Sequence, residues 1–168
     1  GLRVSRWFFP DWKAGGHGPT NVTKAIAESV NTFFYIIGGG YHGEPGLGIW
    51  KLREYANAFG FGSKLGIDLP GEKEGFFPDP DTKPLIDPGN PVWRVGDTYN
   101  VSIGQGGVKA TPLQIAAATA AVANGGKLYT PTLLASQAPS YTNVPASAAA
   151  LALARAGMRD GVTQALAS

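Results

Sequence analysis

Between Lys109 and Lys127 the chain carries no charged residue. The stretch "TPLQIAAATAAVANGG", Thr111 to Gly126, opens on strong helix-start signals. Thr111 is placed to cap, Pro112 takes the first helical position, and Gln114 completes a capping box. Asn124 and Gly125 end it. A helix that is apolar on every side has no face to offer water, so the pattern predicts burial among other elements. At about fourteen residues it is too short to span a bilayer, which takes about 20. The chain therefore has to assemble further elements around it.

Its 168 residues suffice for one domain and one core. Glycine and proline together make up about 22% of the chain, short of the roughly 25–30% that marks low complexity. They cluster between apolar runs, which predicts a folded, loop-rich domain. Charged residues are 15%, below the roughly 25% usual in soluble proteins. The net charge is +2 with no basic block, which argues against nucleic-acid binding. The absence of cysteine excludes disulfides and thiolate metal sites. No run reaches the ~18 apolar residues of a membrane span. "GLRVSRWFFPDWK" lacks the apolar core and cleavage site of a signal peptide. The chain does not open on methionine, and its single one is Met158; this reading places its start inside a longer protein.

"RVSRWFF" (Arg3–Phe9) reads as a strand ended by Pro10. "KAGGHGPT" is a glycine-rich loop, after which Thr20 or Asn21 can cap a helix through Ala25, Ile26 and Ala27. Ser29 and Asn31 interrupt that helix. A second covers Thr32 to Ile37, and "GGGY" ends it. Leu47–Gly60 is an amphipathic helix with Ile49, Leu52, Ala56 and Phe59 on one face. Gly66–Trp93 is proline-punctuated and reads mostly as loop, and a loop that long is usually functional or disordered. "KLYTPTLLA" reads as a strand, "SQAPSYTNVPA" as a loop, and Ser147–Met158 as a last helix.

Several constellations carry chemistry in principle. His17, His42, Glu44, Glu72 and Glu74 are possible metal ligands, but no pair has helical ligand spacing. Both histidines precede glycine and read as surface loop residues. No serine sits in a nucleophile elbow. "GQGG" (Gly104–Gly107) lacks the lysine-serine or lysine-threonine ending of a phosphate loop and reads as a tight turn. Asn21 and Asn100 match the short glycosylation pattern. Ser29-Val30-Asn31, taken alone, reads as a cap or turn.

That polar pair has company. "GHG..NV.KAIAESVNTFFY.IGGGY", "FGFG.KLGIDLPGE.EG..P" and "GDTYNVSIGQGGVKATPLQIAAATAAVANGG" occur in this order in one chain. Together they resemble the transpeptidase domain of a class B penicillin-binding protein, most like the elongation-type enzymes that cross-link peptidoglycan. The resemblance runs from about Phe9 to about Ala167. This superfamily uses Ser-x-x-Lys, Ser-x-Asn and Lys-Thr-Gly motifs in that order, and Ser29 and Asn31 match the middle one. Neither a Ser-x-x-Lys nor a Lys-Thr-Gly or Lys-Ser-Gly occurs in the 168 residues. Lys13-Ala14-Gly15 is a poor match and precedes the middle motif. The expectation is thus that residues 1–168 are the central part of a single transpeptidase domain, truncated at both ends.

The resemblance implies an α+β fold of the serine β-lactamase and penicillin-binding type, represented here mostly by its helical region plus a few strands. It implies a peptidoglycan D,D-transpeptidase working through a serine acyl-enzyme, with Ser29 and Asn31 as the catalytic residues of this chain. Partners would be stem peptides ending in D-Ala-D-Ala, β-lactams, a lipid-II polymerase and the cell-elongation machinery, with no nucleic acid, no metal and no cofactor. The intact protein would work at the outer face of the bacterial cytoplasmic membrane, anchored by a segment outside this chain. Alternatives are a D,D-carboxypeptidase or β-lactamase relative, or a non-catalytic peptidoglycan- or β-lactam-binding sensor module. Structurally, Ser29 is expected in a turn between two helices, with Ala25, Ile26, Phe33 and Ile37 in a core that also holds the Thr111–Asn124 helix. One side of that core is expected to be bared as an apolar patch larger than the few hundred Å² usual for a monomer.

Overall fold

A computed structural model describes residues 1–165. In chain order the elements are β1 (Leu2–Val4), β2 (Trp7–Phe9), α1 (Val22–Ala27), α2 (Asn31–Gly39), α3 (Gly48–Ala58), α4 (Lys83–Ile86), α5 (Val95–Ser102), α6 (Pro112–Ala123), β3 (Lys127–Tyr129), β4 (Tyr141–Asn143) and α7 (Ala148–Ala165). The strands form two separate antiparallel pairs, β1 with β2 and β3 with β4. This is the α+β mixture expected, weighted toward helix.

Five elements differ from the sequence reading, the shortest change being β3, which stops at Tyr129 where a strand to Ala135 was expected. Arg3–Phe9 is a hairpin, with Leu2 opposite Phe9, because Ser5 takes a left-handed φ of 53° and reverses the chain. The "YTN" segment read as loop pairs with β3 as β4. Residues 95–102, left unassigned by periodicity, form α5, whose first turn is held by Asp97 Oδ2 accepting from the Arg94 N–H at 2.7 Å. α7 continues past Met158 to Ala165, because Gly157 and Gly161, one turn apart, face α1. A Cβ at Gly157 would press on Ile26 Cβ and the Thr23 carbonyl. These glycines serve contact between two helices and do not stop either.

One packing centre joins the hairpin to α2 and α5. Leu2, Tyr35 and Tyr99 are buried there, flanked by Val4, Phe9, Ile36, Tyr41 and Ile103. Phe9 meets Tyr99 edge-on at 4.9 Å between ring centroids and Tyr35 at 6.0 Å. The Tyr99 hydroxyl donates to the Gly40 carbonyl at 2.6 Å, so the aromatic ring is buried with its polar end satisfied. Gly38 and Gly39 lie inside α2 and do not end it; Gly40 does, at φ 78°. The helix runs on because α5 passes so close that a Cβ at Gly38 would fall on Ser102 Oγ.

A second centre lies at the other end of the chain. Ala118 and Ala121 of α6, Val144 and Leu151 are buried, with α6 packed on β3 and α7. The expected single core is therefore corrected: α6 does not join the Tyr35 centre. Ala25 is buried, Ile26 and Phe33 are half-buried, and Ile37 is 45% exposed. Nor is α6 hidden on every side. Ile115 is 53% exposed and helps line an apolar hollow of about 580 Å³ with Leu52, Phe59, Phe77 and Val101. On this face α6 is open to solvent rather than enclosed.

The buried polar anchor of α6 is Gln114, 1% exposed. Its Oε1 accepts from the Thr111 N–H at 2.9 Å, completing the capping box. Its Nε2 donates to the Ser63 and Glu74 carbonyls, both at 2.8 Å, and so pins two loops to the helix start. Gln114→Ala removes the cap partner and two carbonyl contacts and is expected to destabilise the fold by about 2 kcal/mol in chemical denaturation. Gly38→Ala forces α2 and α5 apart and is expected to cost roughly 1–3 kcal/mol in the same measurement.

Candidate active site

Asn21 caps α1, its side chain accepting from the Lys24 N–H at 2.9 Å. α1 ends at Ala27 and α2 starts at Asn31. Between them Ser29 adopts φ 52°, the left-handed region that L-residues enter at a cost of roughly 1–2 kcal/mol. Val30, the residue at the N-cap position of α2, is 2% exposed and fixes the turn to the interior. Ser29 is exposed and Asn31 half-buried, two residues apart on the outer side of the reversal. Among the described residues, neither the Ser29 hydroxyl nor the Asn31 amide is engaged in a hydrogen bond.

Valine cannot cap a helix, and the cap comes from elsewhere in the chain. Asp11 Oδ2 accepts from the Thr32 N–H at 3.0 Å and from the Thr32 hydroxyl at 2.9 Å. A carboxylate at a helix N-terminus also meets the positive end of the helix dipole. Next to it, Trp12 Nε1 donates to the Glu28 and Ser29 carbonyls, both at 3.0 Å. Both ends of the turn are thus tied to the loop that leads out of β2.

His17 closes this arrangement. Its side chain is 2% exposed, with Nε2 at 3.0 Å from Asp11 Oδ1 and Nδ1 at 2.7 Å from Glu28 Oε2. Its ring packs edge-on against Trp12 at 5.3 Å. The expectation of a surface loop histidine is corrected here. Its signal in the sequence was weak, because its partners Asp11 and Glu28 stand six and eleven residues away across a loop without periodicity. The Glu28 carboxyl is held below its ordinary range, chiefly by the hydrogen bond from His17.

The other possible ligands do not gather around it. His42 is exposed in the Tyr41–Glu44 turn, with Glu44 beside it. Glu72 accepts from the Leu65 and Gly66 N–H groups at 2.6 and 3.0 Å. Glu74 is exposed, and its carbonyl serves Gln114. Asp11 and Glu28 reach opposite edges of the His17 ring, so a single ion bound to one ring nitrogen has no second carboxylate at hand. The Gly104–Gly107 segment is an exposed turn after α5.

The reversal between α1 and α2 thus presents Ser29 and Asn31 side by side, with the aromatic centre of Tyr35 and Tyr99 further along α2 and α5. The profile of the penicillin-binding protein transpeptidase domain matches residues 2–167, and the chain belongs to that family. Among curated relatives, the peptidoglycan D,D-transpeptidase MrdA of Acinetobacter baumannii is 44% identical over 126 residues, 75% of this chain and 18% of that protein. The solved structure of the penicillin-binding protein PBP2 from Helicobacter pylori superposes with a TM-score of 0.81 at 39% identity, covering 95% of this chain and 29% of that one. The same protein in complex with MreC superposes at 0.82. The chain spans about a fifth of the length of the curated relatives it matches.

Asp11 offers a direct test of the turn's wiring. Burial pushes its carboxyl up, but the Thr32 N–H, the Thr32 hydroxyl and His17 outweigh burial and bring it from 3.8 down to about 2. A carboxyl depressed in the fold stabilises it above the unfolded value, and that contribution disappears as pH falls through the folded value. The melting temperature is therefore expected to drop between about pH 4 and pH 2, and Asp11→Asn to lower it at neutral pH while flattening that acid limb.

Proposed function

We propose that this chain supplies the Ser-x-Asn wall of the catalytic cleft of a peptidoglycan D,D-transpeptidase, as the central part of that domain. The observation that carries the reading is the exposed Ser29 hydroxyl, held in a left-handed turn of a chain that belongs to the transpeptidase family. Strain kept in place by surrounding contacts is common at active sites. The reaction has two acyl transfers. A serine attacks the penultimate D-alanine carbonyl of a stem peptide and releases the terminal D-alanine, and an amine of a neighbouring stem then takes the acyl group.

In that scheme the leaving nitrogen gains a proton and the incoming amine loses one. The Ser29 hydroxyl is both donor and acceptor, so it can pass a proton between a neutral lysine and that nitrogen. The Asn31 amide offers two donors and one acceptor, suited to holding the lysine and aligning the substrate backbone. The nucleophilic serine and its lysine correspond to no Ser-x-x-Lys in these 168 residues, and belong to the longer protein. β-Lactams occupy the same cleft as acylating mimics of the stem peptide. The identity to MrdA and the likeness to a PBP2 solved with MreC support an elongation-type enzyme acting with cell-elongation partners, and the likeness to a peptidoglycan synthase complex that coordinates polymerization and crosslinking, at 28% identity and a TM-score of 0.80, supports a lipid-II polymerase among them. We place it at the outer face of the cytoplasmic membrane. No helix among the described residues is long and apolar enough to cross one.

The test is covalent labelling of the full-length protein by a fluorescent penicillin. Ser29→Ala and Asn31→Ala are expected to slow acylation by about 10²–10⁴-fold while leaving the melting temperature nearly unchanged. Residues 1–168 alone are expected to take no stable label. Variants that acylate at the wild-type rate would reduce Ser29 and Asn31 to a helix junction. Transfer to an added D-amino acid acceptor, measured against hydrolysis, separates a transpeptidase from a carboxypeptidase.

A further inference from the structure

We propose that His17 is a positioning residue for Ser29: a buried imidazole, in hydrogen-bond contact through both ring nitrogens, that clasps the end of α1 to the residue capping the start of α2 and holds the left-handed turn between them. The proposal rests on the transpeptidase reading of Ser29 given above. The geometry is unusual for a histidine. Nε2 faces Asp11 Oδ1 at 3.0 Å and Nδ1 faces Glu28 Oε2 at 2.7 Å. Each ring nitrogen therefore faces its own carboxylate oxygen at hydrogen-bond distance, one belonging to the end of α1 and one to the residue that caps α2.

The two carboxylates are not interchangeable. Glu28 is the residue at the C-cap position of α1, and Asp11 caps α2 through Thr32. Ser29, Val30 and Asn31 are the three residues between these two attachments. Rotating the Asp11 carboxylate away from Thr32 uncaps α2; releasing Glu28 frees the residue whose backbone precedes Ser29. His17 restrains both movements at once. Other charges face the clasp as well. Lys24 Nζ donates to the His17 carbonyl at 2.6 Å and lies 3.8 Å from Glu28 Oε1, and Lys13 Nζ is 3.9 Å from Glu28 Oε2. Both balance the second carboxylate from outside and neither reaches Asp11 in its place. His17 touches the end of α1 directly, at Glu28, and reaches the start of α2 through the Asp11 carboxylate that caps it.

The test compares acylation of the full-length protein by fluorescent penicillin, reading the rate at saturating penicillin separately from the fraction of molecules that finally label. His17→Gln keeps one hydrogen bond and loses the clasp. It is expected to label to the wild-type fraction but roughly 10- to 100-fold more slowly, the scale of a misplacement of about 1 Å. Since His17 acts through Ser29, His17→Gln with Ser29→Ala is expected to be no slower than Ser29→Ala alone. Rates that multiply in the double variant, or a loss of labelled fraction at unchanged rate, would show a merely structural histidine and overturn the proposal. If His17→Gln does not fold, Glu28→Gln decides: it keeps the side chain's length and removes one carboxylate. A wild-type rate in that variant overturns the proposal, and a rate several-fold lower supports it. A wild-type protein that takes no label removes the transpeptidase reading itself. Label on wild type, slowed by Ser29→Ala and unchanged by His17→Gln, removes only this proposal.

Discussion

The reversal between α1 and α2 depends on Asp11, a carboxylate twenty residues ahead of Asn31 that does the capping Val30 cannot do. An uncapped helix start leaves backbone donors without partners, and the left-handed Ser29 adds its own cost. Neither would persist on local preference. The turn exists because a separate loop satisfies it, with Thr32 tied to Asp11 and the Glu28 and Ser29 carbonyls tied to Trp12. Hydrophobic contact completes the arrangement from below: Val30 enters the interior at the reversal, and Tyr35, further along α2, is locked against Phe9 and Tyr99.

This division explains what the sequence could and could not tell. Helix α6 was readable to its first residue, because Thr111, Pro112 and Gln114 act over three positions. The face of α3 was readable for the same local reason, with Ile49 buried as its period demands. Ser29 and Asn31 stood out through their motif, and the helical turn that holds them followed from the residues around it. The hairpin was missed because Ser5-Arg6 carries none of the asparagine or glycine signals that mark tight reversals. α5 was missed because its buried members include Thr98, whose hydroxyl accepts from Trp93 Nε1 at 2.9 Å, so its apolar period is broken. The burial of His17 was hidden for a different reason. Its partners are set by where a flexible-looking loop comes to rest, which no periodicity encodes.

The two packing centres have different chemistry. The one beneath the site is aromatic and hydrogen-bonded, with Tyr99 tied to Gly40. In the other, α6 contributes only the small Ala118 and Ala121, set against Val144 and Leu151; α7 in turn meets α1 through the bare backbone of Gly157 and Gly161. Small residues let backbones come close but bury little area per residue, and burial is worth roughly 25 cal/mol per Å². The α6 side therefore gains less from its own contacts, in keeping with the exposed Ile115 and the apolar hollow beside it.

The loop that carries His17 has a property of handedness. Gly15, Gly16 and Gly18 stand at φ values of 81°, 79° and 65°, and a Cβ at any of them would meet nothing within 4 Å. Space is free there, so volume does not select glycine; the mirror-image backbone does. Residues of D configuration favour that same region of backbone space. A synthetic chain with D-alanine at Gly16 would follow the existing path with fewer unfolded conformations to lose, whereas L-alanine at the same atom count would oppose it. The segment that delivers the imidazole is thus constrained in chirality and open in size.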